Sequence, residues 1–186
     1  MIDRRVQKTL QALHEALISL ILEKGYDATT VKDIIQRANV GRSTFYAHYV
    51  DKEHLLQGGL DNLGKLLHAQ QRNASKTAHA TQYLAFSHAI FEHAQGYKAV
   101  YRAMLGKHAG IVVADRMRNV LRRLVGDDFA QRHAHDHLKE VPLQALIEFT
   151  VGAIMSILTW WVDAAEDYSA DELEAIFRRL AMPVFD

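Results

Sequence analysis

The sequence predicts an all-α protein of about nine helices. Three observations lead there. In segment after segment the apolar residues recur three or four apart, the repeat of a helix face. No stretch alternates apolar and polar residues as a half-buried strand does. Thr29 to Leu56, TTVKDIIQRANVGRSTFYAHYVDKEHLL, reads as two short helices joined by a tight turn and followed by the start of a third.

Asp3 to about Lys24 forms the first helix. Val6, Leu10, Leu13, Leu17, Leu20 and Ile21 make its apolar stripe, and Gly25 ends it, as a glycine just past the last turn commonly does. Arg4, Arg5 and Lys8 cluster at its start, either to reach phosphates or as a solvated first turn. Thr29 or Thr30 supplies the N-cap of the second helix, because a hydroxyl accepts the free amides of the first turn. Val31, Ile34, Ile35 and Ala38 are its apolar face, and Asn39 suits the left-handed residue that closes it. The third helix starts at Gly41 or Ser43. Phe45 and Tyr49, four apart, take its buried side. Arg42, Ser43, Thr44, Tyr46 and His48 are left on or near the other side, with no carboxylate among them. Arg37 and Lys52 add to the basic cluster around this helix.

Asp51 caps a fourth helix that runs to about Arg72, with Leu55, Leu56, Leu60, Leu63, Leu66 and Leu67 as apolar positions. Gly58, Gly59 and Gly64 weaken it by about 1 kcal/mol each relative to alanine, so it either flexes or packs closely. On the flexing reading, Gly58→Ala with Gly59→Ala stiffens a hinge and leaves the fold intact. Asn73 to Ala80 reads as a linker, Ala78 to about Gln95 as the fifth helix, and Tyr97 to Leu105 as a short sixth before a break at Gly106 to Gly110. Ile111 to Val125 is the seventh, with Arg116, Arg118, Arg122 and Arg123 on a solvated face. Gly126 to Val141 is a polar connector holding His133, His135 and His137. His133 and His137 have the spacing of metal ligands on a helix, but no second ligand pair accompanies them, so no metal site is assigned. Pro142 to Asp163 is the eighth helix, apolar nearly all round. Such a helix must be buried on two sides, one by its own chain and one by a partner. Ser169 and Glu172 form a capping box for the ninth, which runs to about Leu180 with Leu173, Ile176, Phe177 and Leu180 as its stripe.

A short helix, a tight turn and a polar second helix are the layout of a helix-turn-helix, whose second helix enters the DNA major groove. The run GRSTFYAHYVDKEHLL closely resembles the signature of the TetR/AcrR family of bacterial transcriptional regulators: the pair Phe45-Tyr46, then His48 and Tyr49, then Lys52-Glu53. The resemblance covers about residues 6 to 60 and extends to the rest only in size and helical layout, with a tryptophan-bearing penultimate helix. It implies a DNA-binding domain over 1–58, its helix-turn-helix at about 30–50, joined through helix four to a helical effector-binding and dimerisation domain over 59–186. It maps Thr30, Arg42, Ser43, Thr44, Tyr46, His48 and Lys52 onto DNA-contacting positions. Arg42 and Thr44 suit base edges, and Tyr46, His48 and Lys52 suit phosphates.

It also implies a homodimeric repressor released from a palindromic operator in double-stranded DNA by a small apolar or aromatic effector. Phe86, Tyr97, Tyr101, Met104 and Phe149 are the candidates to line an effector pocket, although aromatics at this spacing also make plain core. Phe149, Gly152, Ala153, Ser156, Trp160, Leu173 and Phe177 are the candidates for the dimer interface. The alternative is a DNA-binding regulator that answers to a protein partner and takes no small ligand.

With 186 residues, 49% of them apolar, the chain can bury one core or two small ones. There is no cysteine, hence no disulfide or thiolate chemistry, which fits a reducing cytoplasm. No signal peptide is seen, and the apolar stretch from Phe149 to Val162 looks too short to span a bilayer, so no membrane is expected. The 22 basic residues balance the 22 acidic ones, and residues 1–56 carry 8 against 7, a difference of +1. Affinity for DNA must then rest on placement of a few charges rather than on bulk charge. No nucleophile elbow, phosphate loop or zinc-protease motif appears, so neither an enzyme nor a cofactor is expected.

Overall fold

The structure, a computed structural model, describes residues 4–74, 83–132 and 141–181. Among these there are nine α-helices and no strand: α1 Arg4–Lys24, α2 Val31–Ala38, α3 Arg42–Tyr46, α4 Lys52–Ala74, α5 Ser87–Gly96, α6 Lys98–Met104, α7 His108–Arg132, α8 Leu143–Asp163 and α9 Ala170–Ala181. The chain forms two compact units, residues 1–62 with 99–116 and residues 63–98 with 117–186. The first unit thus takes a later stretch of chain as well as the N-terminal helices.

In the first unit, α1 buries Leu13, Leu17, Leu20 and Ile21 and stops at Gly25, which has φ +84° and donates to the Ile21 carbonyl. Thr30 is the N-cap of α2: its hydroxyl accepts from Asp33 N–H, and the Asp33 carboxylate accepts from the Thr30 amide. Lys24 adds an ion pair to Asp33 at 2.8 Å, and these contacts hold that carboxyl well below the usual carboxylate range. Asn39, at φ +52°, closes α2 in the left-handed conformation. Asp51 caps α4 by accepting from His54 N–H.

The glycines of α4 give room for close packing. An added Cβ at Gly59 would stand 2.7 Å from His14 Cε1, and one at Gly58 would stand 3.1 Å from Tyr49 Cε1. In the second unit, a Cβ at Gly64 would meet Val120 Cγ1 at 3.1 Å. Alanine at Gly59 therefore requires the outer end of the His14 side chain to shift. His14 is mostly buried, which lowers its pKa and favours the neutral ring.

Two helices have bounds that differ from expectation. α5 begins at Ser87 rather than about Ala78; residues 83–86 form a turn, and 78–82 lie outside the described residues. α7 runs from His108 to Arg132 rather than from Ile111 to Val125, so Gly126–Arg132 is helix and not connector. Asp128, on the added turns of α7, is tied to the turn before α5. Its buried carboxylate accepts from the Leu84 amide at 3.0 Å and from Gln71 Nε2 at 3.2 Å. Leu84 sits at φ +56°, a conformation that costs a non-glycine residue about 1–2 kcal/mol. The Asp128 bond holds it there, and the Leu84 carbonyl in turn accepts from the amide and hydroxyl of Ser87, starting α5. The next residue of α7, Phe129, is buried edge-on against Tyr83. His133, His135 and His137 lie outside the described residues.

α8 buries Leu146, Ile147, Thr150, Val151, Ile154, Leu158, Trp161 and Val162 in the second unit. Gly126 of α7 lies against it, with Ile147 Cδ1 at 3.5 Å from where a Cβ would be, an ordinary van der Waals distance. The expectation that its apolar stretch is too short for a bilayer is corrected: at 21 residues it has the length and composition to cross one, although half of that window is buried within the chain, as in a core helix. α9 starts with the expected capping box, Ser169 with Glu172. It packs Leu173 and Phe177 inward, the Phe177 ring 6.0 Å from that of Phe91 on α5.

Candidate nucleic-acid interface

α3 is only five residues long, and its orientation is set by what it buries. Phe45 is fully buried, its ring 5.9 Å from Tyr49, which is itself flanked edge-on by His54 at 5.5 Å and His14 at 6.4 Å. With that side clamped, Arg42, Ser43 and Tyr46 face solvent, and Thr44 and His48 are half-buried. Among the described residues, the side chains of Arg42, Ser43, Thr44 and His48 have no hydrogen-bond partner. The result is a short helix with a guanidinium, hydroxyls and an imidazole turned outward, and donors left over for an incoming acceptor.

Three basic or polar side chains expected around this helix are engaged elsewhere. Thr30 spends its hydroxyl on the α2 cap. Arg37 is not part of the outward cluster: its guanidinium bonds Ser19 and Glu23, tying α2 to α1. Lys52 directs its ammonium at the carbonyls of Tyr26, Thr29 and Asp27, at 2.8, 2.8 and 3.3 Å, and stands 4.3 Å from the centroid of the Tyr26 ring. An ammonium has three donors. A phosphate at Lys52 must compete with those carbonyls, so the assignment of Lys52 as a plain phosphate contact is corrected: it braces the turn between α1 and α2. Burial, with help from nearby Glu53, Asp51 and Asp27, pushes the Tyr26 phenol up to about 12, so the ring beside the ammonium stays neutral.

Two family models match the chain. "Bacterial regulatory proteins, tetR family" covers residues 13–58, the segment just described, and "Transcriptional regulator C-terminal region" covers residues 82–183. The chain belongs to the TetR family. It is a TetR-type DNA-binding transcriptional regulator, with an all-helical fold and an N-terminal helix-turn-helix. It is similar to the uncharacterized HTH-type transcriptional regulator YxbF of Bacillus subtilis, 47% identical over 57 residues, which are 30% of this chain and 15% of that protein. It is similar also to the biofilm operon icaADBC HTH-type negative transcriptional regulator IcaR of Staphylococcus epidermidis, 40% identical over 45 residues, 24% of each chain. The matched stretch is thus less than a quarter of the length of these two curated relatives. Along nearly its whole length the chain resembles the TetR transcriptional regulator of Streptococcus agalactiae 2603V, with a TM-score of 0.63, 26% identity and 96% of each chain covered.

The other candidate residues of this TetR-family chain fall out differently. Leu173 and Phe177 are 0% exposed and belong to the chain's own core, so they are corrected as interface residues. Phe149 and Trp160, 49% and 47% exposed, share the outward side of α8 with Gly152 and Ser156, while Ala153 is half-buried. Ala145 and Thr159 extend that stripe, and Leu180 of α9 is exposed as well. Phe149 therefore leaves the list of internal pocket residues. Phe86 and Met104 are buried, but they belong to different compact units, as do Tyr97 and Tyr101. Tyr97 is partly exposed, its ring 4.7 Å from His93, whose burial lowers its pKa to about 4. Sequence reasoning missed Asp128 and His14. A single carboxylate in a polar run, or one histidine in an amphipathic helix, carries no local signal of burial.

Proposed function

We propose that this regulator is a homodimeric repressor that binds a palindromic operator through α3 and is released by a small apolar or aromatic effector. The observation that carries the DNA-reading part is the outward face of α3, with Arg42, Ser43, Thr44, Tyr46 and His48 set on the buried Phe45–Tyr49 clamp. Arg42 is its base-reading side chain, since a guanidinium can bond guanine O6 and N7 together. Residues 1–58 act as the reading domain and 59–186 as the effector-binding and dimerisation domain, working in the cytoplasm without catalysis. The negative sign of regulation follows the likeness to IcaR, and the effector follows the family likeness.

The exposed stripe of Phe149, Gly152, Ser156 and Trp160 on α8, with Leu180 on α9, supports the dimer. Aromatic residues beside small ones let a second copy approach closely. A two-fold pair would set two α3 helices about 34–36 Å apart, one turn of DNA. Sedimentation at micromolar concentration is expected to give twice the 21.1 kDa chain mass, and Trp160→Glu is expected to give the single-chain mass. A wild-type chain that sediments as one copy overturns the dimer.

For base reading, Arg42→Ala is expected to lose about 1–3 kcal/mol of discrimination at one base pair per half-site and little elsewhere. The check is relative affinity across single-base-pair variants of a duplex selected by the wild-type chain. A uniform loss at every variant would reduce Arg42 to a backbone contact.

A further inference from the structure

We infer that Tyr46 is a positioning residue for base reading: the face of its ring holds the Arg42 guanidinium in place on α3. The inference rests on the proposal that α3 reads DNA.

Arg42 is the first residue of α3, and its N-cap, Gly41, has no side chain to steady the turn. Its guanidinium carbon lies 5.7 Å from the centroid of the Tyr46 ring, one helical turn further on. Residues four apart on a helix share a face, so this contact is built into the spacing. The Tyr46 ring is itself fixed, edge-on to Phe45 with centroids 5.3 Å apart and planes at 83°. Phe45 is fully buried and rests on Tyr49. A ladder of rings thus runs from the core through Phe45 and Tyr46 to the guanidinium. Among the described residues, neither Arg42 nor the Tyr46 hydroxyl has a hydrogen-bond partner.

The chemistry of the contact suits reading. A cation above a ring is attracted by the ring's negative face, and this uses none of its N–H groups. All five Arg42 donors therefore stay available to a base edge, while the long side chain loses part of its rotamer freedom before DNA arrives. A carboxylate partner would have occupied the donors that a guanine needs. Tyr46 does its work through the ring, and its hydroxyl is dispensable for discrimination.

The test uses the full chain and a duplex it enriches from a randomised double-stranded library. Relative affinities for all single-base-pair variants are measured for wild type, Arg42→Ala, Tyr46→Phe, Tyr46→Leu and the Arg42→Ala, Tyr46→Leu double variant. Tyr46→Leu is expected to lose roughly two- to fivefold of discrimination at the same base pair that Arg42→Ala relaxes. Tyr46→Phe keeps that discrimination. In the Arg42→Ala background, Tyr46→Leu has no further effect on it, the signature of one residue acting through the other. Should Tyr46→Leu unfold the head, a fluorinated phenylalanine at position 46 keeps the shape and weakens the ring's negative face, with the same expected loss. Equal weakening of every duplex by Tyr46→Phe and Tyr46→Leu, with discrimination unchanged, would make Tyr46 a phosphate contact and overturn the inference alone. Failure of the wild-type chain to enrich any duplex would overturn the DNA-reading proposal together with it.

Discussion

Gly110→Ala is expected to lower the stability of the first unit by roughly 3 kcal/mol, which for a chain of this size moves the thermal midpoint down by roughly 6–12 °C. The added Cβ would stand 2.4 Å from the Met104 carbonyl oxygen and 3.1 Å from its carbon. Neither atom is the end of a flexible side chain. The Met104 carbonyl already accepts from Lys107 N–H, and Lys107 O accepts from Gly110 N–H, so the turn between α6 and α7 is closed on itself. Met104 and Ala109, at either side of that turn, are buried and cannot give way without opening the core. Because this turn packs in the same unit as α1 to α3, operator affinity is expected to fall with stability. Gly96→Ala is the control, since a Cβ there meets nothing within 4 Å. Equal melting of the two variants would remove the steric argument.

Asp128→Ala is expected to cost the second unit about 3–5 kcal/mol, because hydrogen bonds to a charged group contribute about 1.5–3 kcal/mol each and a buried donor left without its acceptor is penalised further. The Leu84 amide loses the bond that holds it at φ +56°, and Gln71 loses a buried acceptor. With the left-handed residue released, the start of α5 should fray. The readout is amide hydrogen exchange: Leu84 and Ser87 are expected to be protected in the wild type and to exchange quickly in Asp128→Ala, with α2 and α3 unaffected. Asp128→Asn retains one oxygen acceptor and should fall between the two. Unchanged protection at Leu84 would mean that other contacts hold the turn.

These two sites mark the border of what could be read from the sequence. Helix ends written in cap chemistry were legible, because a cap and its helix are neighbours in the chain. Gly25, the N-cap at Thr30, one of the two threonines offered, Asn39, Asp51 and the Ser169–Glu172 box all stand where their residue types placed them. The burial of Phe45 and Tyr49 was legible for the same reason, since four-residue spacing puts both on one side of a helix. The start of α5 was not, because the turn before it is held by contacts far along the chain, among them a carboxylate 44 residues from the Leu84 amide. Basic side chains were the least readable. Lys52 finds its carbonyls up to 26 residues back and Arg37 its carboxylate 14 residues back, and spacing alone does not say which acceptors a fold brings near. Leu173 and Phe177 show a related ambiguity: periodicity identifies an apolar face, but not whether the same chain or a second copy covers it.

The brace at Lys52 bears on the calorimetry of DNA binding. An ammonium that already satisfies three carbonyls, above a ring that stays neutral, fixes the entry to α2 before any duplex arrives. A reading head that is ordered in advance has little chain to fold on contact. The heat-capacity change on binding should then track the surface brought together at the interface, without the large added negative term that coupled folding contributes. Replacing Lys52 with methionine keeps the stem and removes the charge. It should turn a rigid docking event into one accompanied by ordering, seen as a more negative heat-capacity change and a larger entropic penalty.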